Sequence, residues 1–167
     1  DGFGDFCSIS IAKCEDEKIN IVKKIFFPDS LGVFYESFTQ LIGFKNYGDE
    51  YKMMGLSSYG EPKYYEIISK NLFKEEKGIK LNLKYFSHTD KNYSYKFQGK
   101  PEQNNLFSNN LKNLFNINKL SVNNISDLQK DLASSVQKIF EHKLFEIIKK
   151  IKDLNFSDNL VYAGGCA

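Results

Sequence analysis

The sequence predicts an α/β fold, because strand patterns and helix patterns alternate along the chain. Near its start, an alternating polar and apolar segment is followed by a run rich in β-branched residues, which is typical of paired strands. Near its end, a long apolar stripe at helical spacing precedes a short apolar run that favours a buried strand. With 167 residues, 41% of them hydrophobic, the chain can form one domain or part of one.

The first two elements are predicted to be the strands of a β-hairpin. Apolar and polar side chains alternate from Phe6 to Ala12, and Ile19 to Phe27 is a β-branched run. The charged segment between them, residues 14–18, is typical of a turn. Pro28 ends the second strand, because proline has no backbone N–H to donate to a neighbouring strand.

A helix is predicted directly after this hairpin. Ser30 is of a residue type that caps helix N-termini. Gly43 is of the type that most often ends helices. The apolar residues between them follow helical spacing: Leu31, Phe34, Phe38 and Leu41. The chain therefore begins with two strands and a helix.

The segment from Gly48 to Pro62 is dense in glycine and charge. Gly48, Gly55 and Gly60 permit a positive φ or the close approach of a ligand to the main chain, so the segment suits a binding loop. A short helix punctuated by glycine and stopped by proline is equally consistent with a plain connector. Both interpretations stay open on this segment alone.

The central part of the chain carries weaker patterns. Tyr64 to Phe73 is predicted to be a short helix, and Gly78 to Phe86 to be a strand or an extended arm. Residues 87–124 are polar and rich in Asn and Lys, which indicates an irregular insertion. One helical turn is predicted within it, at Leu106 to Phe115.

The clearest element is a helix from Ser126 to about Leu154. Ser126 and Gln129 form the pattern of a capping box. A continuous apolar stripe follows, and we expect it to lie on a sheet. Asn159 to Ala163 then has the pattern of a buried strand, which leads into the glycine pair at 164–165.

Charge and composition exclude some classes of partner. The 23 basic and 21 acidic residues give a net charge of +2, so no overall field attracts nucleic acid or an anionic membrane, and we expect neither as a partner. All the basic residues are lysines, so the segment lacks the planar fork with which arginine binds phosphate. A bound anion would have to be held by lysine, backbone N–H groups or a metal.

The cysteines indicate a reducing compartment. The three cysteines are widely spaced and show no CxxC pattern, which argues against a disulfide framework or a zinc site. No run approaches the roughly 18 apolar residues of a membrane span. We therefore expect a cytoplasmic protein.

The motif DGFGD at residues 1–5 places two carboxylates around two glycines just before a strand. Such a turn lets backbone N–H groups approach a phosphate while an aspartate holds a cation. An ordinary turn between two strands would show the same pattern. The glycine pair at 164–165 also allows two interpretations, since ligands bind at strand ends but ordinary tight turns lie there as well.

Taken in order, five motifs resemble the carbamoyltransferase family of nodulation protein NodU and the antibiotic-tailoring O-carbamoyltransferases. The motifs are DGFGD, FFPDSLGVFYESFTQLIGFK, GDEYKMMGLSSYGEPKY, DLASSVQ and LVYAGGCA, and only the region from about Leu72 to Ser121 is unmatched. Because the chain opens without Met and ends just after a glycine turn, we expect residues 1–167 to be an internal fragment of the family's N-terminal domain, with a variable insertion at about 87–124.

The resemblance implies a fold and a reaction. The family's N-terminal domain is similar to the enzymes that place threonylcarbamoyl on tRNA, and it resembles the ASKHA (actin, sugar kinase, Hsp70) fold, with a mixed sheet and flanking helices. The implied reaction transfers a carbamoyl group from carbamoyl-adenylate to a hydroxyl of a small acceptor, such as a sugar, an antibiotic precursor or a nodulation factor. Carbamoyl phosphate and ATP would supply the adenylate in a C-terminal YrdC-like domain of the full protein.

The resemblance also assigns roles to individual residues. Asp1 would be a ligand of a divalent metal, expected to be Fe2+, whose histidine ligands lie upstream of the motif. Gly2, Phe3 and Gly4 would approach the nucleotide phosphates, and Asp5 and Lys52 are the expected catalytic residues. The remaining expected nucleotide-binding residues are Glu50, near the ribose with Lys52, and Gly60, Gly164 and Gly165.

Some positions depart from the family pattern. Ser57-Ser58 stands where the family more often has Ala-Pro, and Asp29 where it often has His. These departures bear on the details of the substrate and leave the fold prediction unchanged. Two alternatives to the enzyme are also considered. One is a non-catalytic ASKHA-type module that binds a nucleotide or a partner. The other, a sugar kinase or Hsp70-like ATPase, is disfavoured because the EYKMMGL and YGEP motifs are not typical of those proteins.

Overall fold

The computed structural model describes residues 2–74, 78–99 and 101–166. Helices and small sheets alternate along these residues, which confirms the predicted mixture of α and β structure. The elements, in chain order, are β1 (Cys7–Glu15), β2 (Lys18–Phe26), α1 (Leu31–Leu41), α2 (Glu50–Ser57), α3 (Tyr65–Leu72), a 3-10 turn (Leu83–Tyr85), β3 (Tyr95–Phe97), β4 (Pro101–Gln103), α4 (Asn109–Leu114) and α5 (Asp127–Asp153).

Strands β1 and β2 form the predicted hairpin. They pair antiparallel from Cys7 opposite Phe26 to Glu15 opposite Lys18, with two irregularities in the register. The turn between them is tighter than predicted, because Asp16 adopts a φ of 52°. Strands β3 and β4 form a second antiparallel pair. Within the described residues both sheets are two-stranded and antiparallel, so the expected mixed sheet is not formed there, and the ASKHA fold stays a prediction.

Helix α1 begins and ends where the sequence predicts. The Ser30 hydroxyl accepts a hydrogen bond from the Val33 N–H at 3.0 Å, which caps the first turn. Phe34 and Phe38 are fully buried on the apolar face of the helix. Gly43 follows the last turn with a φ of 108°, a conformation that side chains disfavour. Helix α3 also confirms the short helix predicted at 64–73.

Helix α5 has the predicted capping box and apolar stripe, but it does not lie on a sheet. It packs against α1, α2 and α3. Its fully buried apolar residues are Leu132, Ala133, Val136 and Ile139. The expectation of a sheet was wrong because an apolar stripe predicts that one face is buried and does not specify whether helices or strands cover it.

The strand predicted at Asn159 to Ala163 is absent. These residues form no strand, and Leu160, Val161 and Tyr162 are 54%, 90% and 47% exposed. An extended segment becomes a strand only when a neighbour pairs with its backbone groups. Nothing among the described residues pairs with this one, so its apolar pattern misled the prediction.

The central region is more ordered than the sequence indicates. Residues 78–86 form isolated bridges and a 3-10 turn in place of a strand. Residues 87–124, predicted to be irregular, contain the β3–β4 hairpin and α4, which confirms only the helical turn. Their apolar side chains enter the main core: Leu106, Leu111, Phe115 and Ile117. In the part of the chain that the structure describes, no helix is long and apolar enough to cross a membrane.

Candidate functional site

The DGFGD motif forms a tight turn at the start of the β1–β2 hairpin. Gly4 and Cys7 exchange two backbone hydrogen bonds of 2.9 Å, and Asp5 and Phe6 between them have φ values of 51° and 60°. This places the Asp5 carboxylate at an exposed tip. The Gly4 N–H is used by the turn, so a phosphate would have to be bound by its neighbours. Asp1, the expected metal ligand, lies outside the described residues.

Phe3 anchors this turn in a cluster of aromatic rings. Its ring centroid lies 5.1 Å from that of Phe27 and 6.0 Å from that of His88, onto which it stacks. His88 also contacts the edges of Phe27 and Phe86, at 5.8 and 5.9 Å. The DGFGD motif, predicted to approach a nucleotide, therefore packs against His88, which lies in the region predicted to be a variable insertion.

His88 is a residue to which the sequence assigned no role. Its ring is buried, and its Nε2 lies 2.9 Å from the carbonyl oxygen of Pro28. Its Nδ1 is buried without a partner among the described residues. An unsatisfied buried acceptor costs on the order of 1–3 kcal/mol. Burial lowers the pKa of His88, although the hydrogen bond to Pro28 opposes that change.

The GDEYK motif is organised by Asp49, which directly precedes α2. Its buried carboxylate accepts hydrogen bonds from the N–H and the side-chain amide of Asn46, each at 3.2 Å. It also pairs with the Lys52 ammonium at 2.6 Å. Burial acts to raise the pKa of Asp49, but the Lys52 and Asn46 bonds outweigh it and the pKa is lowered. The hydrogen bond with Asp49 raises the pKa of Lys52, so Lys52 stays protonated.

Tyr35 of α1 is a buried tyrosine whose hydroxyl joins α1 to α5. The Tyr35 hydroxyl donates a hydrogen bond to Gln137 of α5 at 2.7 Å. Burial raises the pKa of Tyr35, and the electrostatic effects of Cys166, Glu141 and Glu50 raise it further. The roles of Glu50, Gly164 and Gly165 in nucleotide binding stay predictions.

Gly60 has a packing role. A Cβ added to it would overlap the carbonyl group of Lys130 and lie 2.6 Å from the backbone nitrogen of Asp131. The loop of the YGEP motif thus touches the backbone of α5. At this glycine the geometry matches the connector interpretation left open by the sequence, and a contact between Gly60 and a nucleotide stays a prediction.

Asp131 of the DLASSVQ motif holds that loop in place. Its carboxylate accepts a hydrogen bond from the Glu61 N–H and pairs with the Lys63 ammonium, both at 2.8 Å. The Glu61 and Lys63 bonds lower the pKa of Asp131. The Ser135 hydroxyl accepts a further hydrogen bond from the Tyr64 N–H at 3.0 Å. Two of the sequence motifs are therefore joined directly.

Glu36 is a second residue that the sequence analysis missed. It lies on α1 and accepts a hydrogen bond from the Gln103 side-chain amide. Burial raises the pKa of Glu36 to about 7, and the charge of Glu50 also raises it. The Tyr93 hydroxyl donates to the same Gln103 at 3.1 Å. The sequence pattern of α1 could not reveal the buried environment of Glu36, because Gln103 and Tyr93 come from a region with weak sequence patterns.

The described residues do not complete a metal site. In residues 2–74, 78–99 and 101–166, no three histidine, cysteine, aspartate or glutamate side chains are grouped so that they could hold an ion. The donor set expected from the resemblance would draw on Asp1 and on upstream histidines. These expected ligands lie outside the described residues, so the metal stays a prediction, and we route no chemical step through it.

Comparison with known proteins decides the family. The chain matches the family described as "Carbamoyltransferase N-terminus" over residues 1–167. The chain belongs to this carbamoyltransferase family. The resemblance seen in the five motifs is thereby confirmed.

Two relatives of this carbamoyltransferase segment have no characterised activity. The uncharacterized protein sll1178 of Synechocystis sp. is 31% identical over 175 residues, which cover 100% of this chain and 26% of that protein. The uncharacterized protein MJ1051 of Methanocaldococcus jannaschii is 36% identical over 83 residues, or 50% of this chain and 16% of that protein. The chain thus spans about a quarter of the length of the first of these relatives and less of the second.

Proposed function

We propose that this chain is part of an ATP-dependent O-carbamoyltransferase. The carbamoyl group would pass from carbamoyl-adenylate to a hydroxyl of a small molecule such as a sugar, an antibiotic precursor or a nodulation factor. The observation that carries the proposal is the family match over the whole chain. Around it, the structure supports the proposal by joining motifs that lie far apart in sequence, as in the pairs Tyr35–Gln137 and Lys63–Asp131.

The proposed transfer step breaks one carbon–oxygen bond and forms another. The acceptor oxygen attacks the carbamoyl carbon, the bond between that carbon and the AMP phosphate oxygen breaks, and AMP leaves. The proton of the acceptor hydroxyl passes to a base. Asp5 is the proposed base, because its carboxylate stands exposed at the tip of the DGFGD turn, where the phosphate end of the adenylate would bind.

Lys52 has a different role in this proposal. Its pairing with Asp49 keeps it protonated, so it serves as a positive charge near the ribose and phosphate and does not take up a proton. Its ammonium is a point charge, which attracts phosphate without the bidentate geometry of arginine. The buried Asp49 carboxylate fixes the direction in which this charge is presented.

The adenosine would lie near Glu50 and the glycine turn at 164–165. A carboxylate such as that of Glu50 accepts hydrogen bonds from ribose hydroxyls. Gly164 has a φ of 125°, a backbone conformation open to glycine, and this turn can approach the ligand closely. In this proposal Gly60 contributes indirectly, because it fixes the loop after α2 against α5.

An assay of the full-length protein tests this proposal. The protein is incubated with ATP, carbamoyl phosphate and a panel of sugar and polyketide-type hydroxyl acceptors. AMP, pyrophosphate and a carbamoylated product are measured by mass spectrometry. We expect AMP and product to form in equal amounts in the transfer step. Formation of neither, with every acceptor, would favour the non-catalytic module.

The Asp5 role is tested in the same assay with D5N. We expect D5N to lower the transfer rate by about a hundredfold or more, as loss of a general base does. D16N is the matched control, because Asp16 also has a positive φ, at the opposite end of the same hairpin. Asparagine tolerates this conformation, so neither variant should unfold. Equal rates in D5N and D16N would remove Asp5 from the reaction.

A further inference from the structure

A cavity of about 460 Å³ is lined by the β1–β2 hairpin, by the C-terminal end of α5 and by residues of the segment 78–80. Its volume lies in the range of roughly 300–1,000 Å³ that is typical of sites for small molecules. The proposed function uses none of the residues that line it. The cavity is therefore a candidate for a second binding site.

Much of the cavity lining is apolar. Ile147 and Leu154 are seven residues apart, so they lie on the same face of α5. Ile147 is 8% exposed and Leu154 is 42% exposed, so the cavity reaches solvent at the end of the helix, where a ligand can enter. The apolar lining residues are Ile11, Ile25, Ile79, Ile147 and Leu154.

Three lysines stand among these apolar residues. Lys23 is paired opposite Ile11 and lies two residues before Ile25, so all three share one face of the hairpin. Lys150 is three residues after Ile147 and shares its face of α5. A lysine stem can lie along apolar surface while its ammonium stays in water. The cavity thus has an apolar floor and cationic groups at its rim, contributed by Lys23, Lys80 and Lys150, all exposed.

The charges of the described lining residues favour an anion. Among the described residues, Lys23 and Lys150 form no ion pair within 4 Å. Asp29 is the single acidic side chain in that lining, and its carboxylate already accepts a hydrogen bond from the Leu81 N–H at 2.8 Å. The chain has no arginine, so lysine side chains are the cations with which it attracts an anion.

We propose that this cavity binds a small amphipathic anion, a molecule with a carboxylate or phosphate head group on a short apolar chain. The apolar chain lies against Ile79 and Ile147, and the head group pairs with the lysines of the rim. A bound molecule would join the hairpin to the end of α5 and so stabilise the folded protein. This inference does not depend on the proposed function, because it uses none of the residues placed at the adenylate.

The test compares probes that separate the head group from the chain. The full-length protein is titrated by calorimetry with octanoate and with octyl phosphate. Octan-1-ol carries the same chain without the charge, and acetate carries the charge without the chain. We expect at least one of the two amphipathic anions to bind about tenfold or more tightly than either control, and the tighter one identifies the head group. Binding of neither anion, or equal binding of octan-1-ol, would overturn the inference.

A pair of double variants locates the binding. K23Q/K150Q removes two lysines of the rim, and we expect it to weaken binding of the anion by about tenfold. K24Q/K149Q is the matched control, because it removes the same two charges at neighbouring positions that do not line the cavity. All four lysines are exposed, so neither double variant should unfold. Equal affinities in the two double variants would overturn the inference.

A change in the apolar lining gives an independent test. L154E places a carboxylate at the cavity, where it repels the head group and competes for the lysines, so we expect at least tenfold weaker binding. L160E makes the same change at an exposed leucine outside the lining and should match the wild type. Unchanged affinity in L154E would overturn the inference. The carbamoyl-transfer assay tests the proposed function separately, so failure of one proposal is distinguished from failure of the other.

Discussion

Gly60 lies so close to the backbone of Lys130 that residue 60 has no room for a side chain. The contact joins the loop after α2 to the second turn of α5, and Asp131 strengthens it by binding Glu61 and Lys63. Gly60, Glu61 and Lys63 are therefore fixed to Lys130 and Asp131, which are far from them in sequence. This relationship explains the glycine of the YGEP motif through packing.

The first prediction concerns that glycine. We expect G60A to lower the free energy of unfolding by about 3 kcal/mol, because the new methyl group meets backbone atoms that cannot rotate away. G55A is the matched control within α2, where an added Cβ meets nothing, and it should stabilise by roughly 0.5–1 kcal/mol. Urea denaturation measures both. Equal stability of G60A and wild type would contradict the packing role.

The second prediction concerns Asp131 and acid. Its pKa is lower in the folded protein than its usual value of 3.8, so its contribution to stability is present above that pH and is lost as the pH falls through the folded value. We expect D131N to cost about 1–3 kcal/mol at pH 7 and progressively less below pH 4. D127N, at an exposed carboxylate, should cost less than about 1 kcal/mol. A D131N penalty independent of pH would count against this account.

The third prediction concerns Glu36, where stability falls as the pH rises. The pKa of Glu36 is raised from 4.5 to about 7, so ionisation of Glu36 destabilises the fold as the pH rises between these values. E36Q keeps an acceptor for Gln103 and removes the charge. We expect E36Q to be about as stable as wild type near pH 4 and more stable by roughly 2 kcal/mol at pH 8, after allowance for solvent screening.

Thermal or urea denaturation across this pH range measures the effect, with E17Q as the control at an exposed position of the hairpin turn. E17Q should follow the wild type at each pH. The account of Glu36 would be wrong if E36Q and wild type kept the same difference in stability from pH 4 to pH 8.

The fourth prediction concerns ligand binding at Glu50. In the proposed function its carboxylate accepts hydrogen bonds from the ribose, so E50Q should weaken AMP binding to the full-length protein by about tenfold. Folding should change little, because Glu50 is partly exposed in the first turn of α2. E66Q is a control in the equivalent turn of α3. Calorimetric titration with AMP gives the affinities, and unchanged affinity in E50Q would place the ribose elsewhere.

Local sequence signals correctly predicted the helix boundaries that depend on residues close by in the chain. The capping box of Ser126 and Gln129 correctly gave the start of α5, and Ser30 and Gly43 gave both ends of α1. Each of these signals acts within a few residues through hydrogen bonds or backbone conformation. The sequence pattern was therefore sufficient for these boundaries.

Contacts between distant segments could not be predicted in this way. The covering of α5 by helices, and the exposure of Val161, depend on which segments meet in space. His88 is contacted by the rings of residues 3, 27 and 86 and is hydrogen-bonded to residue 28, and residues 3, 27 and 28 are distant from it in sequence. The family resemblance supplied the candidate site residues, among them Glu50 and the glycine pair at 164–165. Their contacts with a nucleotide stay predictions.

Photolabelling tests the central claim most directly, since the claim is that this segment takes part in binding the adenylate. The full-length protein is irradiated with 8-azido-AMP, with excess AMP as competitor, and the labelled peptides are identified by mass spectrometry. The account predicts label that AMP suppresses in the peptides containing Glu50 or Gly164–Gly165. Specific label confined to peptides outside residues 1–167 would contradict it.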